Sequence, residues 1–109
     1  MMIYGLSTCD TCRKARAALP DATFRDIRAQ PLDATELQKV LDTFGAAAVN
    51  RASTTWRNLD EAERARPLPT LLADHPTLLK RPLIRVGDRL FQGWTAPVQA
   101  AVRQAMADG

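Results

Sequence analysis

The fold is decided by "IYGLSTCDTCRKARAAL", residues 3–19. "IYGL" at 3–6 reads as a short buried strand, punctuated by Gly5. Cys9 and Cys12 follow, two residues apart. Ala15, Ala18 and Leu19 then recur at helical spacing, with Ser7, Thr8 and Asp10 as caps or first-turn acceptors. Pro20 closes the segment, and "ATFRDI" at 22–27 alternates as a second strand. Strand, helix and strand together predict a βαβ unit.

A CxxC that opens a helix has a chemical consequence. Cys9 would sit beside backbone N–H groups that lack intrahelical partners, and these favour a thiolate over a thiol. Arg13, Lys14 and Arg16 add positive charge over the next two turns, while Asp10 opposes them. Such settings lower a cysteine pKa from about 8.5 to roughly 3.5–7.5. The same N–H groups can cradle an oxyanion. Cys12, one turn on, is in reach to resolve a mixed disulfide. Two other readings stay open. Structural zinc wants four ligands, and the chain has two Cys and one His. The thiols can also be small apolar side chains with no chemistry.

The remaining elements follow in order. "DATELQKVLDTFG" at 33–45 predicts a helix, with Asp33 and Glu36 as a capping box and Gly45 just past its end. Leu37, Val40, Leu41 and Phe44 share its apolar face. Residues 46–79 read as short helical pieces near 60–65 and 69–75, broken by Pro67, Pro69 and Pro76. "RPLIRVGDRLFQGW" at 81–94 is a hairpin that turns at Gly87-Asp88. Thr95 caps a last helix, with Pro97 in its first turn and Val98, Ala101, Val102, Ala105 and Met106 as its stripe.

The 109 residues, 46% apolar and 25% charged, suit one domain with its own core, 1–109. A net charge of +3, spread along the chain, is too weak to argue for nucleic acid. No run spans a membrane and no secretory signal opens the chain, so a cytoplasmic protein with reduced thiols is expected.

Three blocks, "IYGLSTCDTCRKARAAL", "NRASTTWRNL" and "HPTLLKRPLIRVGDRLFQGW", resemble the arsenate reductase (ArsC) family. The likeness is to its YffB-like branch, close to the Spx/MgsR regulators. It implies an α/β, thioredoxin-like βαβ–ββα fold with a four-stranded mixed sheet and a helical insertion over roughly 31–79. It further implies Cys9 as nucleophile and Arg57 and Arg81 as oxyanion ligands. Pro82 is expected to be cis, an isomer found in roughly 5–6% of X–Pro bonds. Glutathione, with glutaredoxin, would be the reductant, and no cofactor would be bound. The substrate would be a small oxyanion or a thiol compound. The Spx side of the resemblance implies an alternative: a redox-switched regulator that docks on the C-terminal domain of the RNA polymerase α subunit.

The chain departs from arsenate reductases at three positions. Gly5 stands where they carry His, Gln92 where they carry a third arginine, and Cys12 where they carry Ser. The second thiol suggests a disulfide switch or an internal resolving step. Among the other residues, His75 reads as a helix-end group, Trp56 and Trp94 as packing, and "DEAERAR" at 60–66 as a solvated helix face. Lys80 and Arg51 are either surface charges or additions to the anion site. Arg13 and Arg16 divide between loop electrostatics and exposure.

Overall fold

The computed structural model describes residues 1–108, and these fall into two compact units. The first joins Met1–Asp26 to the chain from Arg81 onward; the second is Ile27–Lys80.

The first unit is built on a four-stranded sheet. Its strands are β1 (Met2–Gly5), β2 (Thr23–Asp26), β3 (Leu83–Val86) and β4 (Arg89–Gln92), in the order β2-β1-β3-β4. β1 and β2 run parallel, while β3 is antiparallel to both β1 and β4. A parallel neighbour needs a crossover, and helix α1 (Asp10–Ala18) supplies it. The β3–β4 pair needs only Gly87-Asp88, where Gly87 has φ +59° and, among the described residues, no non-glycine has positive φ. Positive φ at the first central residue alone is the type II′ pattern, which suits strand twist.

Register aligns Phe24, Ile3, Ile84 and Phe91 across the four strands. This row forms one core with Ala15 and Leu19 of α1 and with Val98 and Val102 of the last helix, α6 (Ala96–Asp108). Two side chains leave the predicted stripes. Ala18 is exposed, and Cys12 joins Ala15 and Leu19 on the buried face of α1. Met106 is 42% exposed, because Val102 and Ala105 complete the buried line of α6 one residue earlier.

The second unit is helical. α2 (Ala34–Phe44) opens with both bonds of the capping box: Glu36 N donates to Asp33 Oδ1 at 2.8 Å, and Asp33 N donates to Glu36 Oε1 at 2.9 Å. Gly45, at φ 58°, turns the chain into a 3-10 segment, Gly45–Ala48. The expected pieces near 60–65 and 69–75 are α4 (Glu61–Arg64) and α5 (Leu68–Asp74). Sequence periodicity missed α3 (Thr54–Arg57), since four residues are too few to repeat; its signal is Ser53, whose hydroxyl accepts from Trp56 N at 3.1 Å. Val49 and Leu79 form an isolated antiparallel bridge. Asn50 N donates to Leu78 O and Lys80 N to Ala48 O, each at 2.8 Å, tying the unit's middle to its end. His75 closes α5 with a backbone bond to Leu71 O at 2.9 Å.

Asp33→Ala removes one side of the capping box and is expected to lower stability by about 1 kcal/mol in urea unfolding. Met106→Ala, on an exposed face, is expected to change it by less than about 0.5 kcal/mol in the same assay.

Candidate active site

The site begins where β1 ends. Cys9 is itself the N-cap of α1, with φ −83° and ψ 123°. Of the caps or first-turn acceptors expected at Ser7, Thr8 and Asp10, no side chain caps the helix, while Asp10 is the first-turn acceptor, taking a bond from Arg13. Ser7 N donates instead to Asp26 Oδ2 at 3.3 Å, and Asp10 is already inside the first turn. The Cys9 carbonyl accepts from Arg13 N at 3.0 Å, so the helix starts on the residue that carries the sulfur. First-turn N–H groups that a Ser or Asp oxygen would have taken are left to that sulfur.

The two thiols differ sharply. Cys9 is partly exposed and Cys12 is fully buried, at 0%. Burial works to raise the Cys9 pKa, but four influences together overcome it: the Cys12 N–H, the Cys12 thiol, the positive charge of Arg81 and the Thr11 N–H. Cys9 therefore lies below an ordinary thiol. Cys12 is pushed up to about 11, first by burial and then by its hydrogen bond and charge interaction with Cys9. The Leu6 backbone and Arg81 pull it the other way and lose. Of the pair, the accessible sulfur is the more acidic, and the buried one stays protonated at neutral pH.

Of the other sequence-predicted residues, the first unit brings Arg81 to the pair. The Arg81–Pro82 bond is cis, Pro82 is fully buried, and Gly93 N donates to its carbonyl at 2.9 Å as β3 begins. Arg13 turns elsewhere: its guanidinium pairs with Asp10 and reaches Thr8 O at 3.5 Å. Arg16 lies over the Phe24 ring, 4.0 Å from its centroid. Arg13 and Arg16 are thus engaged locally, and the distant Arg81 supplies charge to the pair. Gly5, read from sequence only as punctuation and as a departure, lies against the Cys12 sulfur. Strand alternation carried the missed signal, because it puts residue 5 on the face of Ile3, which α1 covers.

Arg57 belongs to the second unit, as the last residue of α3. It is exposed, and its Nη2 donates to Ala52 O at 3.3 Å. Arg51 and Arg64 each stand 5.2 Å from the Trp56 ring centroid, and Arg64 donates to the carbonyls of Trp56 and Arg57. "DEAERAR" is therefore more than a solvated face: Arg64 closes the end of α3, and Arg66 pairs with both Glu63 and Asp74. Among the described residues, no three His, Cys, Asp or Glu side chains converge as a metal site. No helix of the described residues is long and apolar enough to cross a membrane.

Alkylation by iodoacetamide, followed at each cysteine by peptide mass spectrometry, reads these differences. Cys9 is expected to reach half-maximal rate below the pH of an ordinary thiol, with Cys12 unreactive at neutral pH. Arg81→Ala removes a cation that favours the charged form, so the Cys9 midpoint is expected to rise.

The profile of the ArsC family matches residues 4–97, nearly the whole chain. An uncharacterised protein of Haemophilus influenzae is 41% identical over 91 residues, covering 75% of this chain and 80% of its own. The solved structure of a YffB protein superposes with a TM-score of 0.81 at 32% identity, covering 92% of this chain and 96% of that one. The global transcriptional regulator Spx of Bacillus subtilis is a more distant relative, 29% identical over 102 residues, covering 84% of this chain and 78% of Spx. With the thioredoxin-like order of its sheet and helices, the chain belongs to the ArsC family.

Proposed function

We propose that the chain is a glutathione-dependent thiol reductase in which Cys9 attacks a small oxyanion or a thiol compound. The observation that carries this reading is the division between the two sulfurs: one accessible and lowered, one buried and raised to about 11. A redox enzyme needs that division, since only one thiol should meet the substrate.

With arsenate, the Cys9 thiolate would form a sulfur–arsenic bond as an arsenate oxygen leaves as water. A second thiolate would then attack the Cys9 sulfur. The sulfur–arsenic bond would break with its electron pair going to arsenic, which falls from the pentavalent to the trivalent state, and a disulfide would form. Glutathione is the proposed second thiol. Cys12 then serves as the resolving thiol, displacing glutathione from Cys9 and leaving a Cys9–Cys12 disulfide, which glutaredoxin reduces back to two thiols as it is itself oxidised and then re-reduced by glutathione. Once Cys9 is bonded to substrate its negative charge is gone. Two of the influences that raise Cys12 go with it, leaving burial opposed by Arg81 and the Leu6 backbone. Oxyanion binding is assigned to Arg57 and Arg81, because a tetrahedral anion suits the planar fork of arginine. Arg13, paired with Asp10, is the weaker contributor.

The Spx relative supports a second reading. There the Cys9–Cys12 pair is a redox switch and the partner is the RNA polymerase α subunit. The two readings differ in turnover.

The test is NADPH consumption with arsenate, glutathione, glutaredoxin and glutathione reductase. Arsenate-dependent turnover is expected, falling to background in Cys9→Ser and at least about ten-fold in Arg57→Ala, with Cys9 alkylation unchanged in the arginine variant. Absence of turnover with arsenate and with a small glutathione mixed disulfide overturns the enzyme reading. Binding of the α-subunit domain that changes on oxidation would then establish the regulator.

A further inference from the structure

Gly5 ends β1 in a conformation that does not call for glycine. Positive φ occurs at Gly45, Gly87 and Gly93, and Gly5 is not among them. Within a strand, glycine is a poor choice, since it packs nothing and loses more chain entropy than other residues. The reason for it lies in a neighbour. A Cβ on residue 5 would stand 2.4 Å from Cys12 Sγ and 3.2 Å from Cys12 Cβ. Phe24 Cε1 would be 3.6 Å away on the other side. At Gly45, Gly87 and Gly93 a Cβ would meet nothing within 4 Å. Among the described glycines, Gly5 alone is a glycine for want of space, and the occupant of that space is a sulfur.

We infer that Gly5 is a positioning residue for the thiol pair: the hollow it leaves in β1 seats the Cys12 sulfur where that sulfur meets Cys9. The inference rests on the Cys9 chemistry proposed above. The seated sulfur feels the Cys9 thiol, which raises its pKa, and the backbone of Leu6, the residue next to Gly5, which lowers it. A methyl group at position 5 displaces the Cys12 sulfur outright, whereas Cys12 Cβ, at 3.2 Å, needs only a small adjustment of α1. Cys12 turns about its χ1 bond, and its sulfur leaves both partners. A helix disfavours one of the three χ1 wells, so few alternatives remain.

The displaced sulfur also fails in the resolving exchange. In that step the Cys12 thiolate attacks Cys9 of a Cys9–glutathione mixed disulfide. The Cys9–Cys12 bond forms, the bond to glutathione breaks, and glutathione departs as a thiolate that takes up a proton.

The experiment compares wild type, Gly5→Ala, Cys12→Ala and the double variant. Its readouts are the pH profile of Cys9 alkylation and, where Cys12 is present, the rate of glutathione release from the mixed disulfide. Gly5→Ala is expected to move the Cys9 midpoint upward and to slow alkylation at pH 7 by roughly three- to ten-fold. Glutathione release should slow as well. Added to Cys12→Ala, the same substitution should change nothing further. An equal shift in both backgrounds, or none in either, overturns the inference while Cys9 stays activated in wild type. A wild-type Cys9 that titrates as a free thiol overturns the reductase reading and this one together. If Gly5→Ala fails to fold, rescue by Cys12→Ala supports the inference, and unfolding in both backgrounds overturns it.

Discussion

The close approach of α1 to β1 governs the chemistry of the first unit. Two of the three buried residues along the helix are small, Cys12 and Ala15, and both are fully buried. Small side chains let a helix settle deep against a sheet, and a glycine in the strand lets it settle deeper. The helix starts one turn before Cys12, so its depth fixes the height of Cys9 above the strand end. A thiolate at an N-cap gains from the first-turn N–H groups only if the turn is held still. The core below α1 does the holding: Leu19, Ile3, Ile84 and Val102 pack around Ala15. A packing constraint therefore becomes an electrostatic one.

The partition of charge follows the same logic. Local basic residues are abundant near Cys9, yet a helix surface offers them local partners. Arg13 lies one turn from Asp10, and Arg16 finds the ring of Phe24. Arg81 precedes the buried Pro82 at the entrance to β3, beside β1 in the sheet. Pairing of β3 with β1 is what brings its charge to the cysteines, so the electrostatics of the site depend on a long-range contact.

Much of this was legible in the chain. The βαβ unit, the capping box at Asp33 and Glu36 and the two-residue turn at Gly87-Asp88 each have local signatures, and each forms at its expected place. The cysteine pair was visible for the same reason. Misreadings came where competition between neighbours decides. Ser7, Thr8 and Asp10 all have capping oxygens, and nothing local says that Cys9 itself takes the position. Ala18 fits a helical stripe as well as Cys12 does until the neighbouring strand selects the face. α3 has one turn and no period, and Arg64 completes it from outside.

In the second unit, Arg66 takes the carboxylates of Glu63 and Asp74, whereas Arg51, Arg57 and Arg64 bond to backbone carbonyls. A guanidinium anchored through one edge to a neutral carbonyl keeps its full charge and some of its donors. An ion pair would have cancelled that charge. Anchoring also removes part of the rotamer entropy that an arginine otherwise loses on meeting a ligand. Arg57 is bonded in this way to a backbone carbonyl rather than to a carboxylate. The arginines of this unit are thus of two kinds: Arg66 is held by acids, whereas Arg51, Arg57 and Arg64 are held by backbone carbonyls.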